Sequence, residues 1–365
     1  MAIKKVLIAN RGEIAVRIAR ACKELGIRSV AVYSEADQYS LHVKKADESY
    51  QISKDPLSGY LNPHHLVNLA VETGCDALHP GYGFLSENAE LAAVCQQRGV
   101  TFIGPSSEAI SAMGDKTQAR QTAIAAGVPV TPGSKGNLDD VEDAVQQAGD
   151  VGYPVMLKAT SGGGGRGIRR CDNEKELRQN YERVISEATK AFGSAEVFLE
   201  KCIIEPRHIE VQVLADHHGN VVHLYERDCS IQRRNQKLIE VAPSPQLSEE
   251  QRETIGNLAI QVTRQCGYAN AGTVEFLLDH DDSFYFMEMN TRVQVEHTIT
   301  EEITGIDIIK AQIRIASGEP LEFSQADISY RGFAAQFRIN AEDPKNGFLP
   351  SFGRISRYYS AGGPG

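Results

Sequence analysis

The chain has 365 residues, of which 41% are hydrophobic and 24% are charged, and this composition suits two or three domains with a sizeable core. Its formal net charge of −10 leaves no broad basic surface for a phosphate backbone, so we expect no nucleic-acid partner. Seven cysteines without CxxC spacing, no signal peptide and no apolar run of membrane-spanning length predict a cytoplasmic protein with reduced, mostly buried thiols and no membrane contact.

The N-terminal part of the chain alternates short apolar strands with amphipathic helices. An apolar run at residues 6–9 predicts a buried strand, and apolar residues at helical spacing over 14–25 predict a helix that ends at Gly26. The pattern repeats, with strands predicted at 30–33, 77–78 and 101–103 and helices at 64–72 and 89–97. Such βα units predict a doubly wound parallel sheet. The loop after the first strand lacks the G-x-G-x-x-G pattern, which leaves a nicotinamide enzyme only as an alternative.

A glycine-rich segment at residues 161–167, with four consecutive glycines at 162–165, is the strongest phosphate-binding signal in the chain. Glycines let backbone N–H groups approach an anion closely. The run follows a predicted strand at 154–158 that ends in Lys158, and Lys116 opens a predicted helix upstream. A flexible linker is the alternative, but the two lysines favour a mobile loop that closes over a nucleotide.

A polar turn separates two apolar or alternating segments, 273–278 and 284–289, and this pattern predicts a β-hairpin. With the turn centred between positions 281 and 282, Glu275 pairs with Glu288, and Asn290 lies two residues further along the same face. Facing carboxylates repel unless a cation lies between them, and oxygen ligands of this kind suit Mg²⁺ or Mn²⁺. The alternative is a solvated polar face with the register displaced by one residue.

The polar alternation continues beyond the hairpin, at Arg292, Gln294 and Glu296. An extended segment would place these side chains in line with the metal site. Arginine can hold a carboxylate-like or phosphate-like anion through two parallel hydrogen bonds. A carboxylate one step further along is a candidate general base. An amphipathic edge strand is the alternative.

These motifs resemble, in order and spacing, those of the biotin carboxylases, an ATP-grasp family, and the likeness covers the whole chain. The motifs that carry it lie at Lys116, Lys158, 161–167, 200–201, 206–210, Glu275, 288–297, 79–88 and 338–344. The resemblance implies a mixed α/β and α+β fold, in which an ATP-grasp fold follows a Rossmann-like parallel α/β domain. We predict an N-terminal domain at 1–114, a lid domain at 115–203 and a C-terminal catalytic domain at 204–365. We expect this last domain to be incomplete, because the family's domain usually extends further.

The same resemblance implies MgATP-dependent carboxylation of biotin by bicarbonate through carboxyphosphate, the first half-reaction of a biotin-dependent carboxylase. Biotin is expected on a carrier protein or domain, with a carboxyltransferase subunit as a second partner and a homodimer at full length. Thr298 and the segments 242–245 and 301–305 resemble the pyruvate carboxylase branch more than the acetyl-CoA carboxylase branch. Two alternatives remain: another ATP-grasp carboxylate–amine ligase, and a truncated ATP-binding fragment without turnover.

The resemblance also implies roles for individual residues. ATP would contact Lys116, Lys158, Gly164, Gly165, Glu200, Lys201, Cys202, Ile203, His208, Gln232, Asn235, Glu275 and Glu288, with Asn235 standing where many relatives carry histidine. The metal ions would bind Glu275, Glu288 and Asn290. Bicarbonate would bind Lys237, Arg292, Gln294 and the backbone of Val295. The catalytic residues would be Arg292, Glu296 (the base), Arg338 and Lys237, with Arg338 and Tyr82 facing the biotin ureido ring.

Overall fold

A computed structural model of the chain describes residues 2–134, 136–160, 167–193, 196–351, 353, 355–360 and 362. The glycine-rich loop, with the predicted ATP contacts Gly164 and Gly165, lies outside the described residues. Six of the seven cysteines are buried and all seven are free, which confirms their predicted burial. Across the described residues, no helix combines the length and apolarity that crossing a bilayer requires.

The N-terminal region is a parallel sheet covered by helices, as predicted. Its strands lie in the order β3-β2-β1-β4-β5, and their bounds are β1 (Lys5–Ile8), β2 (Arg28–Ser34), β3 (Glu48–Ser53), β4 (Ala77–His79) and β5 (Thr101–Phe102). The helices are α1 (Gly12–Glu24), α2 (Leu41–Lys45), α3 (Pro63–Glu72), α4 (Ala89–Gln97) and α5 (Ser107–Gly114). The order reverses between β1 and β4, so the loops that follow these two strands meet at one edge of the sheet.

A small antiparallel sheet follows, in the order β7-β6-β8. Its elements are α6 (Lys116–Ala125), α7 (Val141–Val151), β6 (Val155–Ala159), β7 (Ile168–Cys171), α8 (Glu174–Phe192) and β8 (Val197–Lys201). Leu157 and Leu199 on the sheet share a buried cluster with Ala144 of α7 and Leu177 of α8. The two helices therefore cover one face of the sheet, while Lys158 and Glu200 contact each other on the other face.

The part of the chain after residue 206 contains a six-stranded antiparallel sheet in the order β13-β12-β9-β10-β11-β14. Its strands are β9 (Arg207–Ala215), β10 (Val221–Arg233), β11 (Gln236–Ala242), β12 (Asn270–Leu278), β13 (Phe284–Asn290) and β14 (Ala334–Phe337). The helices of this region are α9 (Glu249–Gln265), α10 (His297–Thr304) and α11 (Ile308–Ala316). Two further short strands, β15 (Glu342–Asp343) and β16 (Leu349–Pro350), pair with each other.

The predicted pairing of the two acidic residues on the β12–β13 hairpin is confirmed, because Glu275 faces Glu288. The predicted position of the turn is wrong. Pairs nearer the turn, such as Phe276 with Phe286, are displaced by one residue from the predicted register, so the turn is centred on Asp281. Met287 is the extra residue of a β-bulge, and beyond this bulge Glu275 and Glu288 pair as predicted.

The prediction of an extended segment through Glu296 is also wrong. β13 ends at Asn290, residues 291–296 are irregular, and α10 begins at His297. The backbone turns because the carbonyl of Gln294 accepts from the N–H of His297, 3.3 Å away. Val293 is fully buried, as the alternation predicts, whereas the next apolar residue, Val295, is only partly buried.

Candidate active site

A cleft of about 940 Å³ lies between the small sheet and the six-stranded sheet. Apart from Tyr82, it is lined by every predicted site residue that the structure describes: Lys116, Lys158, Glu200, Lys201, Cys202, Ile203, His208, Gln232, Asn235, Lys237, Glu275, Glu288, Asn290, Arg292, Gln294, Val295, Glu296 and Arg338. The irregular segment after β13 therefore reaches the cleft without the extended conformation that we expected.

The acidic face of the hairpin carries charge that the described side chains only partly balance. Glu275 Oε1 accepts from Asn290 Nδ2 at 2.9 Å. The Glu288 carboxylate makes no hydrogen bond or ion pair with any other residue that the structure describes. Burial, and then the charge of Glu275, raise the pKa of Glu288, while the Lys116 ammonium opposes the shift. Two carboxylates and an amide oxygen with an unmet negative charge fit a divalent cation such as Mg²⁺ or Mn²⁺.

The Lys237 ammonium lies at the centre of the cleft floor. Its Nζ is 2.5 Å from Glu210, 2.9 Å from Glu275 Oε1 and 2.9 Å from Glu296 Oε1. A fourth acceptor, Gln294 Oε1, is 3.3 Å away. Burial alone would lower the pKa of Lys237, but these carboxylates raise it above its ordinary value. The lysine is therefore a fixed positive charge among three acids.

Glu210 and Arg227 form an ion pair beneath Lys237 that sequence reasoning missed. Both side chains are fully buried, and Arg227 Nε lies 2.5 Å from Glu210 Oε1. Arg227 also donates to Gln212 Oε1 and to Thr300 Oγ1, each at 2.9 Å. A buried charged network of this kind is stable only when its members are paired and hydrogen-bonded. It therefore fixes Glu210 as an acceptor for Lys237.

His208 faces the same part of the cleft. Its Nε2 is 2.9 Å from Glu275 Oε2, a contact without hydrogen-bond alignment, and Gln232 Nε2 lies 3.1 Å from its Nδ1. Burial works against the charged ring, yet Glu275 raises the pKa of His208 above its ordinary value. His208, Glu210 and Gln212 alternate with apolar residues along β9. This two-residue period was the signal that could have revealed Glu210.

Glu296 lies between two cations. Its Oε1 is 2.9 Å from Lys237 Nζ, its Oε2 is 2.9 Å from an Arg338 guanidinium nitrogen, and only 1% of its surface is exposed. Arg338 Nε also donates to the buried Glu240 Oε1 at 2.6 Å. Glu240, like Glu210, was not predicted. Arg338 is therefore held between two acids.

Arg292 is held by a carboxylate from the N-terminal region. Its Nε donates to Glu87 Oε2 at 2.9 Å, and another of its nitrogens donates to Asn290 Oδ1 at 3.0 Å. Glu87 also accepts from the Thr291 N–H at 3.2 Å. Glu87 belongs to the segment after β4, and it was not singled out from the sequence.

The same segment after β4 carries Tyr82, which lies outside the cleft lining. The hydroxyl of Tyr82 donates to Glu13, and burial together with Glu13 raises the pKa of Tyr82. Its backbone carbonyl accepts from Asn10 Nδ2 at 2.8 Å. Gly81 has φ +66° and lies so close to Asn10 that an added Cβ would be 2.8 Å from it, so glycine suits this turn. Asn10 thus fixes the segment that carries Tyr82 and Glu87.

The opposite end of the cleft contains the predicted nucleotide contacts. Lys158 forms an ion pair with Glu200, which also accepts from Arg120 at 3.1 Å. Burial lowers the pKa of Lys116. The side chain of Lys201 lines the wall of the cleft. Its ammonium donates to the carbonyl of Gly152, 2.8 Å away.

Two family models match the chain. The N-terminal domain of biotin carboxylase matches residues 2–110, and the ATP-binding domain of the carbamoyl-phosphate synthase L chain matches residues 115–324. Together they cover the parallel sheet, the small sheet and most of the six-stranded sheet.

Curated relatives match over nearly the whole chain. The 2-oxoglutarate carboxylase small subunit of Hydrogenobacter thermophilus is 58% identical over 99% of this chain and 77% of its own length. Biotin carboxylase 1 of Bacillus subtilis is 55% identical over 100% of this chain and 81% of its own length. Pyruvate carboxylase 1 of Caenorhabditis elegans is 52% identical over 99% of this chain, which spans 31% of that longer protein.

Solved structures agree with the fold. A biotin carboxylase domain dimer of the H. thermophilus 2-oxoglutarate carboxylase, in complex with MgADP, ADP and bicarbonate, has a TM-score of 0.96 and 57% identity, with 100% of this chain and 81% of that chain covered. A Campylobacter jejuni biotin carboxylase complex with a β,γ-ATP ligand has a TM-score of 0.96 and 50% identity, with 99% and 81% covered.

Proposed function

This chain belongs to the biotin carboxylases, ATP-dependent ligases with an ATP-grasp fold, and on that premise we propose a role for each residue of its cleft. The reaction is the MgATP-dependent carboxylation of biotin by bicarbonate. The observation that carries the proposal is the placement of the Glu296 carboxylate between Lys237 and Arg338, at 2.9 Å from each. This arrangement joins a base to two cations at the floor of one cleft.

The nucleotide end of the cleft would take MgATP. Glu275, Glu288 and Asn290 would hold Mg²⁺ or Mn²⁺, which supplies charge neutralisation at the phosphates. The unmet charge of Glu288 supports this role. Lys116 and Lys158 would contact phosphate oxygens. Further ATP contacts remain predictions: the backbone of Glu200, Lys201, Cys202 and Ile203, the side chains of His208, Gln232 and Asn235, and the loop residues Gly164 and Gly165.

Bicarbonate would bind at the centre of the cleft, against Lys237, Arg292, Gln294 and the backbone of Val295. Glu296 would take the bicarbonate proton. The oxygen that is freed would attack the γ-phosphorus of ATP, and the bond to ADP would break to give carboxyphosphate and ADP. Cations fixed around the transferring group stabilise the charge that develops there.

Biotin would bind where Arg338 faces the cleft, with Tyr82 nearby. Carboxyphosphate would break down to CO₂ and phosphate, and the phosphate would remove the ureido proton. The ureido nitrogen would then attack CO₂. Arg338 cannot readily lose its proton, so it supplies a permanent positive charge to the ureido anion. Its two bonds to Glu240 and Glu296 support this role by fixing the guanidinium.

The partners would be a biotin carrier protein or domain and a carboxyltransferase subunit, with a homodimer formed by two copies. Relatives described as a small subunit and as part of a longer pyruvate carboxylase support partners of this kind. The final carboxyl acceptor stays open, because 2-oxoglutarate and pyruvate carboxylases are both similar to this chain. The cytoplasmic location and the division at 1–114, 115–203 and 204–365 stay predictions.

One assay tests the function: ADP formation from MgATP and bicarbonate, with and without free biotin. We expect bicarbonate-dependent ADP formation that biotin stimulates and that Glu296→Gln abolishes while MgADP binding persists. Stimulation by a carboxylate and an amine, but not by biotin, would point to a carboxylate–amine ligase. Nucleotide binding without any bicarbonate-dependent ADP would point to a non-catalytic fragment.

A further inference from the structure

The proposed bicarbonate residues Gln294, Val295 and Glu296 are consecutive and lie in a single turn. β13 has ended before them and α10 begins directly after them, so no regular element supports their backbone. The turn is closed at Gln294, whose carbonyl accepts from the backbone N–H of His297 at 3.3 Å. That distance is long for a hydrogen bond of this type. The backbone N–H alone therefore holds the Gln294 carbonyl only weakly.

The ring of His297 supplies a second contact to this carbonyl. Its Nδ1 lies 2.7 Å from the same carbonyl oxygen of Gln294. A carbonyl oxygen can only accept, so Nδ1 must carry a proton and donate it. One side chain thus closes the turn from which Gln294, Val295 and Glu296 reach the cleft.

Among the described residues, the bond to Gln294 is the one hydrogen bond that the His297 ring makes. The ring is fully buried, and its Nε2 makes no hydrogen bond within the described part of the chain. Its nearest acid is Glu301, at 4.0 Å. Burial, with Arg17 and Arg227 nearby, lowers the pKa of His297 to about 4, so the ring is neutral at neutral pH. An apolar side chain would fill the space without leaving a buried nitrogen unpaired.

We propose that His297 is a positioning residue for bicarbonate: its Nδ1–H fixes the Gln294 carbonyl and thereby sets the backbone of Val295 and the carboxylate of Glu296. The inference rests on the proposed function of this turn. His297 touches neither substrate nor metal in this role. Its loss should therefore impair the use of bicarbonate more than the binding of nucleotide.

Three substitutions separate the two ring nitrogens. His297→Asn places an amide N–H near the position of Nδ1, His297→Gln places one near Nε2, and His297→Leu removes both. His223→Leu is the matched control, because His223 is likewise a buried histidine, on β10, and it does not line the cleft. Each variant of the whole 365-residue chain is assayed for the KM of bicarbonate, the KM of MgATP and the melting temperature.

We expect the KM of bicarbonate to rise about tenfold or more in His297→Leu and His297→Gln, and to return to within about threefold of the parent in His297→Asn. The KM of MgATP should change by less than about twofold. If His297→Leu does not fold, the Gln and Asn variants still make the comparison. The parent chain is measured first, since an absence of bicarbonate-dependent ADP formation there refutes the proposed function itself.

With an active parent, three results would overturn the inference. The first is a rise in both KM values together, which would indicate general damage to the site. The second is equal behaviour of the Asn and Gln variants. The third is a bicarbonate-specific defect in His223→Leu as large as that in His297→Leu.

Discussion

Replacing Glu288 by glutamine removes one of two opposed carboxylates without changing the shape of the site. Glu288 lies directly opposite Glu275 on the hairpin, and directly opposed Cβ atoms are typically ~5 Å apart. Two unit charges at that distance repel by about 3 kcal/mol at an effective dielectric constant near 20. Glu288 is half-buried and Lys116 offsets part of the repulsion. We therefore expect the substitution to stabilise the metal-free protein by about 1–2 kcal/mol.

The presence of metal should invert this order. A ligand that binds only the folded state at 100 times its Kd stabilises it by about 2.7 kcal/mol. The parent protein should gain this stability from MgADP, whereas Glu288→Gln should gain little. The assay is thermal unfolding in EDTA and in saturating MgADP, where each kcal/mol corresponds to about 1 °C for a chain of this length.

Glu253→Gln is the control for this experiment, because Glu253 is an exposed residue on α9. It should follow the parent protein under both conditions. A Glu288→Gln protein that melts below the parent in EDTA and is stabilised equally by MgADP would refute both the repulsion and the metal site.

Three other substitutions test the remaining cations. Arg338→Ala should lower biotin carboxylation at least about 100-fold with nearly unchanged MgADP affinity, because in the proposed mechanism Arg338 stabilises charge that forms only during the reaction. Near-normal turnover of this variant would remove Arg338 from the mechanism. Glu87→Gln should raise the KM of bicarbonate a few-fold, since Arg292 loses its charged acceptor, and steady-state kinetics with an unchanged KM would contradict that. Lys237→Met leaves its buried acidic partners short of a cation, so chemical denaturation should show that the free energy of unfolding falls by about 3–5 kcal/mol. An unchanged denaturation midpoint would count against the central role of Lys237.

The pairing of Glu275 with Glu288 could be predicted because a polar residue at each position interrupts apolar strands. The bulge at Met287 could not. Residues 284–287 are all apolar, so the sequence has no two-residue period there, and one inserted residue leaves no trace in the pattern. The predicted register was therefore correct at the acids and wrong near the turn.

The segment from Asn290 to Glu296 shows a different case, in which the polar residues were placed correctly and the conformation was wrong. Arg292, Gln294 and Glu296 line the cleft and Val293 is buried, as in a strand, but Val295 lines the cleft as well. Yet alternation reports only which side chains are buried, and a turn can satisfy the same requirement. In this turn the His297 ring is bonded to the Gln294 carbonyl, and hydropathy does not encode such a contact.

Two buried acids, Glu210 and Glu240, were missed because motif reasoning seeks groups that touch a substrate. Glu210 holds Lys237 and Glu240 holds Arg338, so each of these two proposed catalytic cations has an acid partner behind it. Glu296 contacts both cations from the cleft side. On the proposed roles, the charges that would meet bicarbonate and biotin are fixed before either substrate binds, and little reorganisation is left for the reaction itself. It follows that removing either acid should impair catalysis through the orientation of the cation it holds, even though neither acid would contact a substrate.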